Sequence, residues 1–262
     1  MIDDIIRQYA PITLEEMTGI KLMNRTDTKF VTTVARLCDL LKLAADDYRV
    51  QDMSGERNIP YFTVYFDTLS FDMYSQHEHG HTNRQKLRIR SYVNSNLNFL
   101  EVKTKNNHGR TKKKRVEMVG FDPRHPQRDI AFHRQDEQYE AYGDFLEHYL
   151  RYDASTVRQT IENNFNRITL VNKAKTERLT IDTGLRFHNL ITGEDLSLDN
   201  IAIIELKRDG LQPSPILGLL NQLRIKPSGF SKYCMGSAMT NHDLHRNRFK
   251  QRLRYVDKLM KG

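Results

Sequence analysis

The chain has 262 residues, 38% of them hydrophobic, with a formal net charge of +8 and a sequence pI near 9.4. Its apolar content is enough for a core, which excludes a disordered chain, and no apolar run approaches the ~20 residues that cross a bilayer. The basic balance points to an anionic partner, whether nucleic acid, a membrane surface or a phosphorylated small molecule. Cys38 and Cys234 make no disulfide framework and read as reduced, buried thiols. The acidic N-terminus lacks the basic and apolar regions of a signal peptide, so the expectation is a soluble cytoplasmic protein.

Residues 1–22 read as a short helical lead-in, broken at Pro11 and resumed over LEEMTGIKL. Residues 25–34 place Arg25, Asp27 and Lys29 on one face of a Thr- and Val-rich strand, and 34–45 put Leu37, Leu40, Leu41 and Ala44 on one side of a helix. Strands are predicted over 48–53 and 61–68, then a helix over 69–81 with Ser70 as N-cap and Gly80 as stop. Three strands follow at about 84–93, 97–105 and 110–119, joined by Asn-Ser-Asn and Asn-Asn-His-Gly turns. Residues 121–135 are a Pro- and Arg-rich loop and the one candidate linker, and 136–150 are helical. Residues 156–172 end as a strand, 177–187 form a strand pair or one bent strand, and 200–210 form a strand. The chain closes with a short apolar helix at 216–223, a loop entering a helix at 229–239, and a basic amphipathic helix within 243–262. With no repeat and no clear boundary, residues 1–262 are expected to make one domain.

The stretch Arg84–Arg115 stands out, because its net charge is +10 while the whole chain carries +8. Read at period two, Arg84, Lys86, Arg88 and Arg90 share a side opposite Leu87 and Ile89, and Glu101, Lys103 and Lys105 oppose Leu100 and Val102. A row of like charges repels itself and destabilises an empty sheet, so it calls for a polyanion lying along it. Arg167, Arg178, Glu205 and Lys207 extend the pattern to other strands. One antiparallel sheet with helices on its apolar face fits these data, its charged face either open to water or curled into a barrel around a basic lumen. In the run Arg110–Arg115, alternation puts Lys112 and Lys114 on one face and sends Lys113 and Arg115 to solvent.

The segments RTDTKF, KLRIRSY, FLEVKTK, RLTIDTGLRF, IIELKRDG and FSKYCMG, in this order, resemble the VTC domain. That is the polyphosphate polymerase branch of the triphosphate tunnel metalloenzyme (CYTH-like) superfamily. The resemblance covers residues 20–240 and implies an α+β fold. Its centre would be a closed antiparallel barrel of about eight strands with helices packed outside. It also implies Mn²⁺ or Mg²⁺ as cofactor and ATP with polyphosphate or pyrophosphate as ligands. Carried onto this chain, Lys29, Arg88, Arg90, Lys103 and Glu205 take the catalytic positions. Lys86, Lys114, Arg167, Arg178, Lys207, Ser231 and Lys232 grip phosphates, and Glu205 with Glu101 or Asp27 holds the metal. Hydrolytic members open with Glu-x-Glu-x-Lys where this chain has Arg25-Thr26-Asp27-Thr28-Lys29, which favours the polymerase branch.

The rival readings are a triphosphatase or nucleoside triphosphatase, a non-catalytic polyphosphate sensor, and an RNA-binding module. RNA platforms carry exposed aromatics, and the basic strands show little beyond Tyr92. His77, His79 and His81 read as solvated side chains rather than a metal clip, and Cys234 as core. The C-terminal helix either docks on the barrel or rests on an anionic membrane or partner.

Overall fold

The computed structural model describes residues 1–18, 20, 25–107, 110–126, 130, 132, 137–210 and 212–261. His108 and Gly109 of the expected hairpin turn, and part of the expected 121–135 loop, lie outside that set. In chain order the elements are α1 (Ile2–Ile6), β1 (Ala10–Ile12), α2 (Leu14–Thr18), β2 (Arg25–Thr33), α3 (Val34–Ala44), β3 (Tyr48–Gln51) and β4 (Ile59–Thr68). There follow α4 (Asp72–Glu78), β5 (Arg84–Tyr92), β6 (Leu97–Lys105), β7 (Thr111–Glu117), α5 (Glu137–Tyr149), β8 (Val157–Asn172) and β9 (Glu177–Asn189). The chain ends with β10 (Asp195–Leu198), β11 (Ile201–Asp209), α6 (Pro215–Gln222), α7 (Lys232–Thr240) and α8 (Lys250–Lys261).

All eleven strands join one sheet whose main path runs β2-β11-β9-β8-β4-β5-β6-β7, and every pairing along it is antiparallel. The expected hydrogen-bonded closure is absent among the described residues: β2 and β7 end the path without pairing to each other. The fold is α+β, with a sheet that is not closed by hydrogen bonds among the described residues. The 156–172 segment, ambiguous at its start, is strand from Val157 onwards, and 177–187 is one bent strand. Its ladder with β8 slips between Asn164 and Asn166, and Gly184 supplies the positive φ of 60° beside that slip. Two short strands escaped the sequence reading: β1, which contains Pro11 and runs parallel to β3, and β10 beside β9.

Two apolar clusters cover the outer face. Leu37, Leu40 and Leu41 of α3 pack with Ile216 and Leu220 of α6 on Ile168, Leu170, Leu179, Ile181, Ile204 and Leu206. Tyr142 and Leu146 of α5 cover Val64, Leu87, Ile89, Leu100 and Val102. These are the residues that alternate with the charged rows, as period two requires.

The inner face corrects a further expectation, because one helix lies on it instead of outside. Val31, Ile203, Ile161 and Phe187 sit in register rows on the same side as Lys29, Glu205 and Asn163, and they pack with Tyr233, Cys234, Met235 and Ala238 of α7. The inner face is therefore charged along one part and apolar where α7 seats. The C-terminal helix α8 docks on this cluster through Val256, with Tyr255 donating to the Val31 carbonyl at 3.1 Å. No described helix is long and apolar enough to cross a membrane.

Close seating of α7 depends on Gly236. A methyl at that position would stand 2.5 Å from Cδ1 of Phe187 and 2.9 Å from Cδ1 of Ile161, both buried. Overpacking of this kind costs ~1–3 kcal/mol, and the helix propensity gained by Ala returns at most about 1. Gly236→Ala should therefore lower the melting temperature by several degrees while leaving far-ultraviolet circular dichroism intact, and an unchanged melting temperature would contradict the tight seat.

Candidate functional site

The inner face collects the charged residues of distant segments in consecutive register rows. Lys29 stands beside Glu205 and Glu205 beside Thr180, while Lys207 lies between Asp27 and Arg178. Arg167 pairs with Asp182, Arg88 with Glu101, and Lys86 with Lys103. Six ladder steps separate β6 from β2, about 29 Å in a flat sheet. Yet Lys103 on β6 lies within electrostatic reach of Glu205 on β11 and Lys29 on β2, nearer than a flat sheet would place them. The start of α7 closes the same hollow: Lys86 Nζ donates to Ser231 Oγ at 2.6 Å, and the neighbouring Lys232 pairs with Asp182. Ser231 also caps α7 by accepting from the Cys234 amide at 3.2 Å.

Three carboxylates each hold two cations. Glu101, fully buried, accepts from Arg88 Nε and Nη2 at 2.8 and 2.6 Å and from Lys113 Nζ at 2.9 Å. Asp182 accepts from Arg167 Nε and Nη2 at 2.6 and 2.8 Å and from Lys232. Glu205 accepts from Lys207 Nζ at 2.7 Å and from Lys29. Burial alone would raise the pKa of Glu101, but Arg88, Arg90 and Lys113 outweigh it and bring it down to about 2. Burial is likewise overcome at Asp182 by Arg167 and Lys232, and at Glu205 by Lys207 and Lys29, so both are held well below the usual carboxylate range.

Other cations of the inner face make no direct ion pair with a described carboxylate. Arg90 lies 5.6 Å from the Tyr61 ring, and its buried Nε meets no acceptor among the described residues. Lys86 faces Lys103 across the ladder, and neither is paired to a described carboxylate. Burial is the first cause that lowers all three, to about 10 at Arg90 and about 7 at Lys103, where Arg88 and Lys86 add repulsion. Lys103 is nonetheless exposed to solvent.

Of the residues singled out in sequence, Lys29, Lys86, Arg88, Arg90, Glu101, Lys103, Arg167, Arg178, Glu205, Lys207, Ser231 and Lys232 fall on or beside this inner face. Lys114 does not. It pairs with Val102 and sits 5.1 Å from the Tyr149 ring of α5, on the outer face, whereas Lys113, expected in solvent, bonds Glu101. A hairpin register one residue away from the expected one exchanges the two faces. Ion pairs engage both oxygens of Glu101.

Asp182 was not singled out, although it continues the Arg178, Thr180 alternation. The aromatic content was underread as well. Tyr61 stacks on Phe165 at 5.2 Å, and Arg167 covers both rings, at 5.1 and 5.3 Å. Covered in this way, the rings form no open platform for bases. His77 Nδ1 lies 3.1 Å from Cys234 Sγ, and His79 Nδ1 2.8 Å from the Ser75 carbonyl, so the histidine run is dispersed.

No three His, Cys, Asp or Glu side chains gather into a cation cage among the described residues. Both oxygens of Glu205 are engaged as well, one by Lys29 and the other by Lys207, so Glu205 would serve a divalent ion as a single protein ligand only where one of those lysines gave way to it.

The site is thus the basic inner face of an antiparallel sheet, with Arg88, Arg167, Lys29 and Lys207 held by carboxylates and Lys86 and Lys103 side by side. The chain belongs to the VTC domain family, whose model matches residues 24–241. Among solved structures it is similar to a candidate adenylate cyclase of Bacillus halodurans, at 14% identity and a TM-score of 0.49 over 80% of this chain and 96% of that one. It is also similar to a candidate adenylyl cyclase of Hippeastrum with a dominant triphosphatase activity, at 16% identity and a TM-score of 0.46 over 85% and 100%. Comparison with curated proteins gives no match.

The folded protein holds the Lys103 proton less tightly than the unfolded chain does, so folding is penalised while both states are charged. Stability of the ligand-free protein should rise as pH increases from about 7 towards the ordinary value of 10.5. Lys103→Met should flatten that rise and melt higher than the parent at pH 6. Thermal denaturation from pH 6 to 9 checks this, and identical slopes in the two proteins would count against it.

Proposed function

We propose that this protein is a phosphoryl-transfer enzyme that moves the γ-phosphoryl of ATP onto the end of a polyphosphate chain held in the inner-face hollow. The observation that carries the reading is the unneutralised charge of Arg90, Lys86 and Lys103, enclosed where a phosphate chain would balance it. Arg88, Arg90 and Arg167 offer planar forks for phosphate oxygens, and Lys29, Lys103, Lys207 and Lys232 offer compact charges. Transfer of this kind needs positioning and charge neutralisation more than covalent help from the protein.

The acceptor in this reading is a terminal phosphate oxygen, already an anion. That oxygen attacks the γ-phosphorus as the bond from phosphorus to the β,γ-bridging oxygen breaks, and ADP leaves with the electron pair. No proton has to be removed. The inner face suits such an acceptor better than water, because Glu101, Asp182 and Glu205 are held in ion pairs with depressed pKa values and make poor general bases. A divalent ion, Mn²⁺ or Mg²⁺, would supply further charge neutralisation on the phosphates, with Glu205 as its protein ligand. Lys232 and Ser231 orient the bound chain from the start of α7.

Incubation with labelled ATP and Mn²⁺, followed by gel electrophoresis, should give products longer than triphosphate. Free phosphate without chain growth would replace this reading with a hydrolase. Arg90→Ala should lower the rate of chain growth about 10²-fold, as removal of one donor to developing charge does elsewhere.

A further inference from the structure

We propose that the C-terminal helix α8 extends the phosphate site, with Arg252 forming a further phosphate subsite beside Ser231 that serves chains too long for the inner face alone. The inference rests on the reading of the inner face as a polyphosphate site. It concerns an element outside the family match, which ends at residue 241, whereas α8 begins at Lys250.

The first observation is the side of the helix that carries Arg252. Val256 is the buried anchor of α8, and residues four apart share a helix face, so Arg252 lies on the side that docks. Such a face is ordinarily apolar. Lys250, Arg254, Lys258 and Lys261 fall on the opposite side, where exposed cations are normal. Arg252 is thus the cation of α8 whose position solubility does not account for.

The second observation is where its guanidinium goes. A methyl built at Gly229 would stand 3.4 Å from Nε, Cζ and Nη2 of Arg252 alike, so the planar group lies along this backbone. Gly229 is two residues before Ser231, a stretch of chain that spans at most about 7 Å, and Ser231 Oγ takes the Lys86 bond at 2.6 Å. A second route leads to the same place. The Phe249 ring lies 6.0 Å from Cζ of Arg252 and 6.0 Å from the His77 ring. His77 Nδ1 is 3.1 Å from Cys234 Sγ, and the Cys234 amide donates to Ser231.

The third observation is that no acid meets it there. Among the described residues the contact of the Arg252 charge is the Phe249 ring, and the side chain is exposed to solvent. Its neighbours bring no carboxylate: Arg84 donates to the His81 carbonyl and Lys86 to Ser231. Burial first, and then Lys86, Arg84 and Arg252, hold the His77 imidazole well below its ordinary value, which agrees with cations gathered around it. A guanidinium is always charged, weakly hydrated and shaped to take two oxygens of one phosphate unit. A chain gripped by Lys86 and Ser231 therefore meets its next cation on α8.

The test compares long-chain polyphosphate with tripolyphosphate as ligands of the full-length protein. Arg252→Met keeps an aliphatic stem against Phe249 and removes the charge. It should bind the long chain about tenfold more weakly than the parent and tripolyphosphate within about twofold, with the ligand-free melting temperature unchanged. Arg252→Lys should recover part of the lost long-chain affinity. A loss that both ligands share equally, or that Lys does not relieve, means that Arg252 acts by packing α8 in place. That result, or no loss with either ligand, overturns the subsite and leaves the inner-face site standing. Arg90→Ala is the reference: if it leaves tripolyphosphate binding unchanged, the polyphosphate reading itself falls.

Discussion

The structure depends on carboxylates that each hold two cations. Lys86 and Lys103 stand side by side on neighbouring strands, an arrangement that weakens a sheet. Glu101, Asp182 and Glu205 offset this by drawing Arg88 and Lys113, Arg167 and Lys232, and Lys29 and Lys207 into fixed positions. Buried ion pairs of this kind add little net stability, because desolvation consumes much of the Coulomb gain. Their value here is geometric. Each acid links cations from separate elements and fixes the curl, while the cations it does not reach keep the hollow positive.

The change of character along the inner face explains how one short helix can serve the site. On β2 and β11 the same face passes from Val31 and Ile203 to Lys29 and Glu205 within a single side-chain repeat. The apolar half gives α7 a seat, with Gly236 allowing contact against Phe187 and Ile161. Once seated, its first turn delivers Ser231 and Lys232 to the charged half, where Lys86 and Asp182 meet them. Packing of the core and placement of Ser231 and Lys232 are thus one event, and a disturbance at either end of α7 reaches the other.

The charged rows were legible in sequence because strict alternation over Lys86–Arg90 and Glu101–Lys105 leaves little choice of period. The split inner face was not, since Ile201–Ile204 reads as one apolar run and period two cannot tell which side meets a helix. The exchange of Lys113 for Lys114 came from a one-residue register, which the loop before β7 decides and alternation alone cannot. The start of α4 is set by Asp67, whose carboxylate accepts from the Met73 and Tyr74 amides at 2.8 Å, so Ser70 is not the cap. β1 and β10 are too short to show a period, and β1 carries a proline. Closure of the sheet depended on whether its first and last long strands would meet, which no local pattern encodes.

A strand edge with no partner among the described residues has to be protected, and β7 shows how charge does it. A flat strand with free amide and carbonyl groups invites pairing with a second chain, and barrels escape this by closing. Lys112, Lys113, Lys114 and Arg115 are all exposed on this strand, four consecutive cations that repel an identical edge approaching in register. Lys112 and Lys114 guard the side towards α5, while Lys113 and Arg115 belong to the inner face, where Arg115 lies 4.2 Å from the Phe99 ring.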